Sequence, residues 1–316
     1  MTAVRGEGGA HYAHYAHGDT SQRAVAQRQL RVVETAAALR EALDAPRRAG
    51  ASIGFVPTMG ALHAGHHALV ERARRDCDVV VVSIFVNPLQ FGPAEDYLRY
   101  PRPLDADIAG LRERGVELAF VPTAEEMWPT PPRVRLVVEP PLGSTLEAAS
   151  RPGHFDGMAS VVAKLLSLLA PHRAYFGQKD AQQVAVVRAL VKDLGLPVAA
   201  VACPTVRAAD GLALSSRNAY LDPTQRRLAT TLVHALDAGH AAFQGGVRTA
   251  EGVRAPAAAL LDHGSFQVEY LEVVDATTFV PASTVVHYTL LVGAMRLGAT
   301  RLLDNVVLGV DRGDEA

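Results

Sequence analysis

The sequence predicts an α/β protein: a Rossmann-like, doubly wound parallel sheet followed by a second, smaller α+β domain. Three observations in its 316 residues carry that expectation. Between residues 52 and 202, short β-branched runs alternate with longer segments of helical period. Residues 79–86 form an almost unbroken apolar run, the pattern of a parallel strand covered on both faces. After about residue 206 the alternation stops, and a long Ala-rich helical stretch leads into three strand-like segments.

Taken in order, residues 53–56 read as a buried strand, 66–75 as a helix, 79–86 as a strand, 104–114 as an amphipathic helix closed by Gly115, and 118–121 as a strand. Helix 156–169, strand 174–176, helix 181–194 and strand 197–202 continue the rhythm. Strands separated by helices of this length imply right-handed crossovers and ligands at the carboxyl ends of the strands. Beyond residue 206, helices are expected over 223–243 and 250–262 and strands over 267–274, 284–292 and 301–308. The expected division is a tail over 1–24, a nucleotide-binding domain over 25–205 and a lid-like α+β domain over 206–316.

Hydrophobic residues make up 49% and charged residues 20% of the chain, which supports a substantial core and excludes wholesale disorder. A formal net charge of −2 argues against a nucleic-acid binder, although it leaves room for a local basic pocket. Cys77 and Cys203, each in an apolar stretch, are too few for a disulfide framework or a zinc site and read as small buried hydrophobes. Residues 79–86 and 161–170, the longest apolar stretches, fall short of the roughly 20 residues of a membrane span. The first 24 residues lack an apolar signal core. Their His11, His14 and His17 sit among Gly, Ser and charge, so a disordered tail is expected, with metal capture the alternative. A cytoplasmic protein without a membrane or nucleic-acid partner follows.

Three stretches carry chemistry. In Pro57-Thr58-Met59-Gly60-Ala61-Leu62-His63-Ala64-Gly65-His66, two histidines flank a glycine where a strand ends and a helix begins. Free N–H groups and the helix dipole favour phosphate there, and imidazoles donate to its oxygens as charge builds. Gly65 would let a base or ribose approach the backbone. A metal pair is the alternative, but ligation along a helix prefers i, i+4 and no cysteine or acidic residue lies nearby. The second stretch, Gly177-Gln178-Lys179-Asp180, also joins strand to helix, with Asp180 an expected N-cap and Lys179 a point donor at the same sheet edge. In the third, Ser215-Ser216-Arg217 follows Gly211 and Leu214, a mobile phosphate clamp or a loop with a capping serine. Asn87, Gln90 and Gln183 supply amides that orient hydroxyls and a carboxylate without neutralising a nucleophile.

These stretches resemble the pantoate–β-alanine ligase family, within the nucleotidylyl-transferases of the HIGH signature. The likeness runs through VPTMGALHAGH, SIFVNPLQFGPAEDYLRYPR, RPGHFDGMASVVAKLL, YFGQKDAQQ and PTVRAADGLALSSRNAYL, in that order, and reaches RLGATRLLDN near the end. It implies ATP-dependent condensation of pantoate with β-alanine through a pantoyl adenylate, with Mg²⁺, in a homodimer. By position, His63, His66, Lys179, Ser215, Ser216 and Arg217 would handle the ATP phosphates. Met59, Gly60, Gly65, Gly177, Gln178, Val206 and Leu214 would cradle the nucleotide, and Asp180 would accept from its ribose. Pro57, Met59, Asn87, Gln90 and Gln183 would hold pantoate, and Asp107 matches an acidic position associated with magnesium. Rival expectations are an adenylyltransferase that stops after moving AMP, an aminoacyl-tRNA synthetase, disfavoured by the charge, and a non-catalytic nucleotide sensor.

Overall fold

The computed structural model describes residues 29–308 apart from 94, 263–265 and 287. The expected N-terminal tail, with its three histidines, lies outside the described residues. Along the chain the elements are β1 (Arg31–Val33), α1 (Ala36–Arg48), β2 (Ile53–Thr58), α2 (Ala64–Asp76), β3 (Val79–Ile84), α3 (Leu104–Glu113) and β4 (Leu118–Phe120). Two short helices, α4 (Ala124–Met127) and α5 (Glu147–Ser150), precede α6 (His154–Leu169), β5 (Arg173–Gly177), α7 (Ala181–Asp193) and β6 (Ala199–Cys203). Then come α8 (Pro223–Gln244), α9 (Ala250–Leu261), β7 (Gln267–Asp275), β8 (Thr289–Leu297) and β9 (Thr300–Leu308).

The first six strands form one parallel sheet in the order β1-β4-β3-β2-β5-β6. The order runs outward in opposite directions from β2 and β5, so these two neighbours frame the switch point where such sheets open a crevice. Successive residues of β2 and β3 point to opposite faces, as the strand period requires. Phe55, Val79 and Val81 pack with α1 and α6 on one face, while Val56, Val80 and Val82 pack with α2 and α3 on the other. The apolar run at 79–86 therefore reports a strand buried on both sides.

The antiparallel sheet, in the order β7-β8-β9, has its own core with α8 and α9. Ala181 and Ala185 of α7 meet Val274, Phe279, Leu290 and Val292, which ties this sheet to the first. Two expectations are corrected. Strand β8 begins at Thr289, five residues later than expected, because Tyr288 takes a left-handed backbone (φ 67°) that interrupts the extended chain. Elements β1 and α1 had no sequence assignment: a three-residue strand carries no period, and Pro46 lies within the helix.

Helix α6 approaches the turn at Pro88–Gln90 so closely that a Cβ on Gly157 would lie 2.0 Å from the Leu89 carbonyl oxygen. That obstacle is backbone and cannot swing away. Gly157→Ala should therefore destabilise the fold by about 1–3 kcal/mol, the usual range for overpacking. Denaturant midpoints measure it, and an unchanged midpoint would contradict this packing.

Candidate active site

At the end of β2, Thr58 Oγ1 donates to the Ser83 carbonyl (2.6 Å) and accepts from Gly60 N–H (3.2 Å). The chain then turns through left-handed backbone at Gly60 (φ 83°) and Ala61 (φ 51°). A buried carboxylate holds this turn: Asp107 of α3 accepts from Ala61 N–H at 2.8 Å on Oδ2 and from Leu62 N–H at 2.7 Å on Oδ1. Burial raises the Asp107 carboxyl above the usual range, against the pull of those two donors. Asp107, which the resemblance matches to a position associated with magnesium, is 3% exposed and accepts one backbone N–H on each oxygen, so the structure places it as the support of this turn. Among the described residues no cluster of three or more His, Cys, Asp or Glu side chains forms a metal cage.

Helix α2 starts two residues earlier than expected, with His63 as its N-cap. Its Nδ1 accepts from Gly65 N–H (3.1 Å), and His66 Nδ1 accepts from His63 N–H (3.3 Å), a capping box built from two imidazoles. Both Nδ1 atoms are acceptors, so each neutral ring carries its proton on Nε2. Burial, and then the Lys179 ammonium, lower His63 to about 4. Burial, and then His63, lower His66 to about 3. The pair therefore offers neutral N–H donors at pH 7. A Cβ on Gly65 would lie 2.8 Å from His63 Cε1, so this glycine makes room for the capping ring itself.

Across the switch point, Gly177 leaves open space where a side chain would stand. Lys179 follows, and its charge reaches both imidazoles. Asp180 takes the N-cap position of α7 without capping through its side chain, a correction, because the carboxylate turns to Lys179 Nζ at 3.4 Å. Burial opposes ionisation of Asp180, but Lys179 outweighs it and the carboxyl is lowered.

Lys179, Asp180, Ser215 and Arg217 line one cleft of about 790 Å³. Ser215 Oγ accepts from Arg217 N–H (3.3 Å), the capping alternative, while Ser216 Oγ lies 3.3 Å from Tyr100 OH. The Arg217 guanidinium makes a two-point pair with Asp96 (3.1 and 3.0 Å). Leu214 N–H donates to the Val206 carbonyl (3.0 Å), which closes the loop that brings Ser215 to the cleft.

The amides divide into two kinds. Asn87 is 1% exposed and donates to Gln90 Oε1 and the Gly157 carbonyl (both 3.1 Å) while accepting from Trp128 Nε1 (3.1 Å). It is thus a brace for Gln90 and not a contact surface. Gln90 Nε2 in turn donates to Met59 Sδ (3.2 Å), and Pro57 lies on β2 just before. Gln183 lines a cavity of about 40 Å³ with Lys179, Asp180 and His154, and His154 Nδ1 holds the Gln90 carbonyl at 2.8 Å. Gln178 is buried and faces the other sheet through Asn305. Sequence reasoning missed Asp96, Tyr100, His154 and Asn305. All four lie inside quoted motifs, but nothing in their spacing says which neighbour they hold.

Sheet order and donor set define the class: a Rossmann-like α/β protein with a nucleotide site at its switch point. The family model described as pantoate-beta-alanine ligase matches residues 31–307. The chain belongs to the pantoate–β-alanine ligase family. Pantothenate synthetase of Thermus thermophilus is 52% identical over 277 residues, covering 88% of this chain and 99% of that protein. Its crystal structure superposes with a TM-score of 0.83 over 88% of this chain and 99% of its own. The Francisella tularensis pantoate-beta-alanine ligase, solved with beta-gamma ATP and beta-alanine, is 32% identical with a TM-score of 0.73, over 90% and 99% of the two chains. A bifunctional pantoate ligase/cytidylate kinase of Synechococcus elongatus is 52% identical over 85% of this chain and 52% of that protein. The chain thus spans about half the length of such bifunctional relatives.

Burial keeps His63, His66 and His154 neutral, the last also lowered to about 4, whereas an unfolded histidine titrates near 6.5. Their contribution to stability is therefore complete above pH 6.5 and is lost as pH falls toward 4, where the unfolded chain binds more protons. Urea midpoints should fall between pH 7 and 4.5 with net proton uptake on unfolding. Midpoints flat across that window would contradict the buried neutral rings.

Proposed function

We propose that this chain joins pantoate to β-alanine at the expense of ATP, releasing AMP and pyrophosphate. The observation that carries this reading is the meeting of the His63–His66 pair with Lys179 across β2 and β5, beside the cleft entered by Arg217. In the first step a pantoate carboxylate oxygen attacks the α-phosphorus and pyrophosphate leaves. A carboxylate is ionised at pH 7, so this step needs no general base. It needs positioning and stabilisation of charge on the departing pyrophosphate, the work suited to an ammonium, a guanidinium and imidazole donors.

Neutral Nε2–H groups bind charge that grows during reaction without holding the ground-state triphosphate too tightly. Met59 and Gln90, braced by Asn87, together with Gln183 would hold pantoate. In the second step the β-alanine amine attacks the acyl carbon, AMP leaves and the amine loses its proton. Mg²⁺ would come with ATP as part of the substrate, since it prefers phosphate oxygens and water, while Asp107 lies beneath the turn with a backbone N–H on each oxygen. When bound it neutralises phosphate charge.

The division near residue 206 belongs to the same reading, with the 206–316 segment closing over the cleft. It is supported by the separate cores of the two sheets. A homodimer and a cytoplasmic location rest on the family likeness. No helix among the described residues is long and apolar enough to cross a membrane.

The test is purified protein with ATP, Mg²⁺ and pantoate. Exchange of pyrophosphate into ATP should require pantoate and not β-alanine, and AMP should accumulate only when both are present. Lys179→Ala and His63→Ala should each slow the exchange by about 10²-fold, the typical cost of losing one charge-stabilising donor. Near-normal exchange in both variants would overturn the mechanism.

A further inference from the structure

Strand β9 carries Asp304 and Asn305 in mid-strand, 4% and 2% exposed. Asparagine and aspartate are depleted in strands, and a buried amide costs free energy unless its groups are paired. Asn305 pairs in one direction only. Its Nδ2 donates to the Gln178 carbonyl and to the Lys179 carbonyl, both at 2.9 Å, and its Oδ1 accepts from Gln178 Nε2 at 3.3 Å. All three bonds end on Gln178 and Lys179, two of the three residues between β5 and α7. Beside it, Asp304 grips Arg207 at two points (2.5 and 3.0 Å) and accepts from Asn305 N–H (2.8 Å).

Asp180 does not cap α7, and Gly177 has open space beside it. Among the described residues Lys179 Nζ has a single carboxylate contact, a long one at 3.4 Å to its own neighbour. A flexible side chain is placed as accurately as the backbone that bears it, and here that backbone hangs from an amide on the other sheet.

We propose that Asn305 is the positioning residue for Lys179, setting its ammonium against the pyrophosphate that leaves during adenylation. Through Asn305 the antiparallel sheet thereby acts on the first chemical step. This rests on the reading of Lys179 as a triphosphate donor. An error of about 1 Å in such a group costs up to 10²-fold in rate.

The experiment is a double-mutant cycle on the full chain: wild type, Asn305→Ala, Lys179→Ala and the double variant, read by pantoate-dependent pyrophosphate exchange. Asn305→Ala should lower the exchange kcat about tenfold with less than a threefold change in the KM for ATP. In the Lys179→Ala background it should change kcat less than twofold, because the group it positions is gone. Where steady-state turnover is too slow to read, the same cycle is read by single-turnover release of pyrophosphate with enzyme in excess over ATP. Asn305→Asp, which keeps the shape and loses both donated bonds, replaces the alanine variant if that one fails to fold.

Equal losses from Asn305→Ala in both backgrounds, or a rise in KM alone, would overturn the proposal and leave Asn305 a packing residue. Absence of exchange in the wild-type protein would instead overturn the proposed function.

Discussion

The turn after β2 depends on one buried carboxylate. Glycine and alanine at positions 60 and 61 adopt left-handed backbone, and neither side chain can hold the chain there. Asp107 does so with one oxygen on each of two successive N–H groups. Hydrogen bonds to a charged group contribute about 1.5–3 kcal/mol each, which offsets part of the desolvation that burial imposes on this carboxylate. From this fixed turn the chain enters α2 with His63 already at the cap. The imidazole pair, its tautomer and its neutrality all follow from that entry angle.

A neutral pair beside one ammonium distinguishes this site from a cluster of fixed positive charges. Three or four cations in a row would repel one another and would bind ATP whether or not it reacts. Here the rings stay uncharged because they are buried and because Lys179 stands near them. The Arg217 guanidinium at the cleft is already paired with Asp96. Burial works against the Asp96 carboxyl, but the guanidinium outweighs it and lowers the group. On the proposed reading, a triphosphate entering the cleft meets a guanidinium aligned in advance by a carboxylate that it must share or displace.

The two sheets are joined by polar contacts as well as by the α7 contact. Arg301 of β9 bridges Glu147 of α5 and Glu269 of β7, at 2.5 and 2.6 Å, and Tyr270 OH donates to Glu147 (2.8 Å). Such an array gives little net stability, because desolvation consumes most of the Coulomb gain. It does discriminate sharply between docking geometries, since a slipped interface would leave buried charges unpaired. With Asp304–Arg207 and the Asn305 clasp, it makes the antiparallel sheet part of the wall of the cleft.

Much of this was readable along the chain. The alternation from Ile53 to Cys203 has the period of covered parallel strands and their crossover helices, and physical burial imposes that period residue by residue. His63, His66 and Lys179 likewise announce themselves as donors at strand–helix turns, and Arg217 as one in a loop. What local pattern cannot contain is the partner of a side chain distant in sequence. Asp107 reads only as an acidic residue of an amphipathic helix until α3 is packed under the turn, and the Asp180 side chain reads as a cap until Lys179 draws it away. Asn305 reads only as an odd residue in a strand. The sequence by itself determined the sheet, its order of elements and the kinds of donor at its edge, since these follow from periodicity and residue chemistry. Tertiary structure alone decided which carboxylate holds a backbone, which imidazole nitrogen bears the proton and which amide carries Lys179, because each depends on contacts that exist only once the chain has closed.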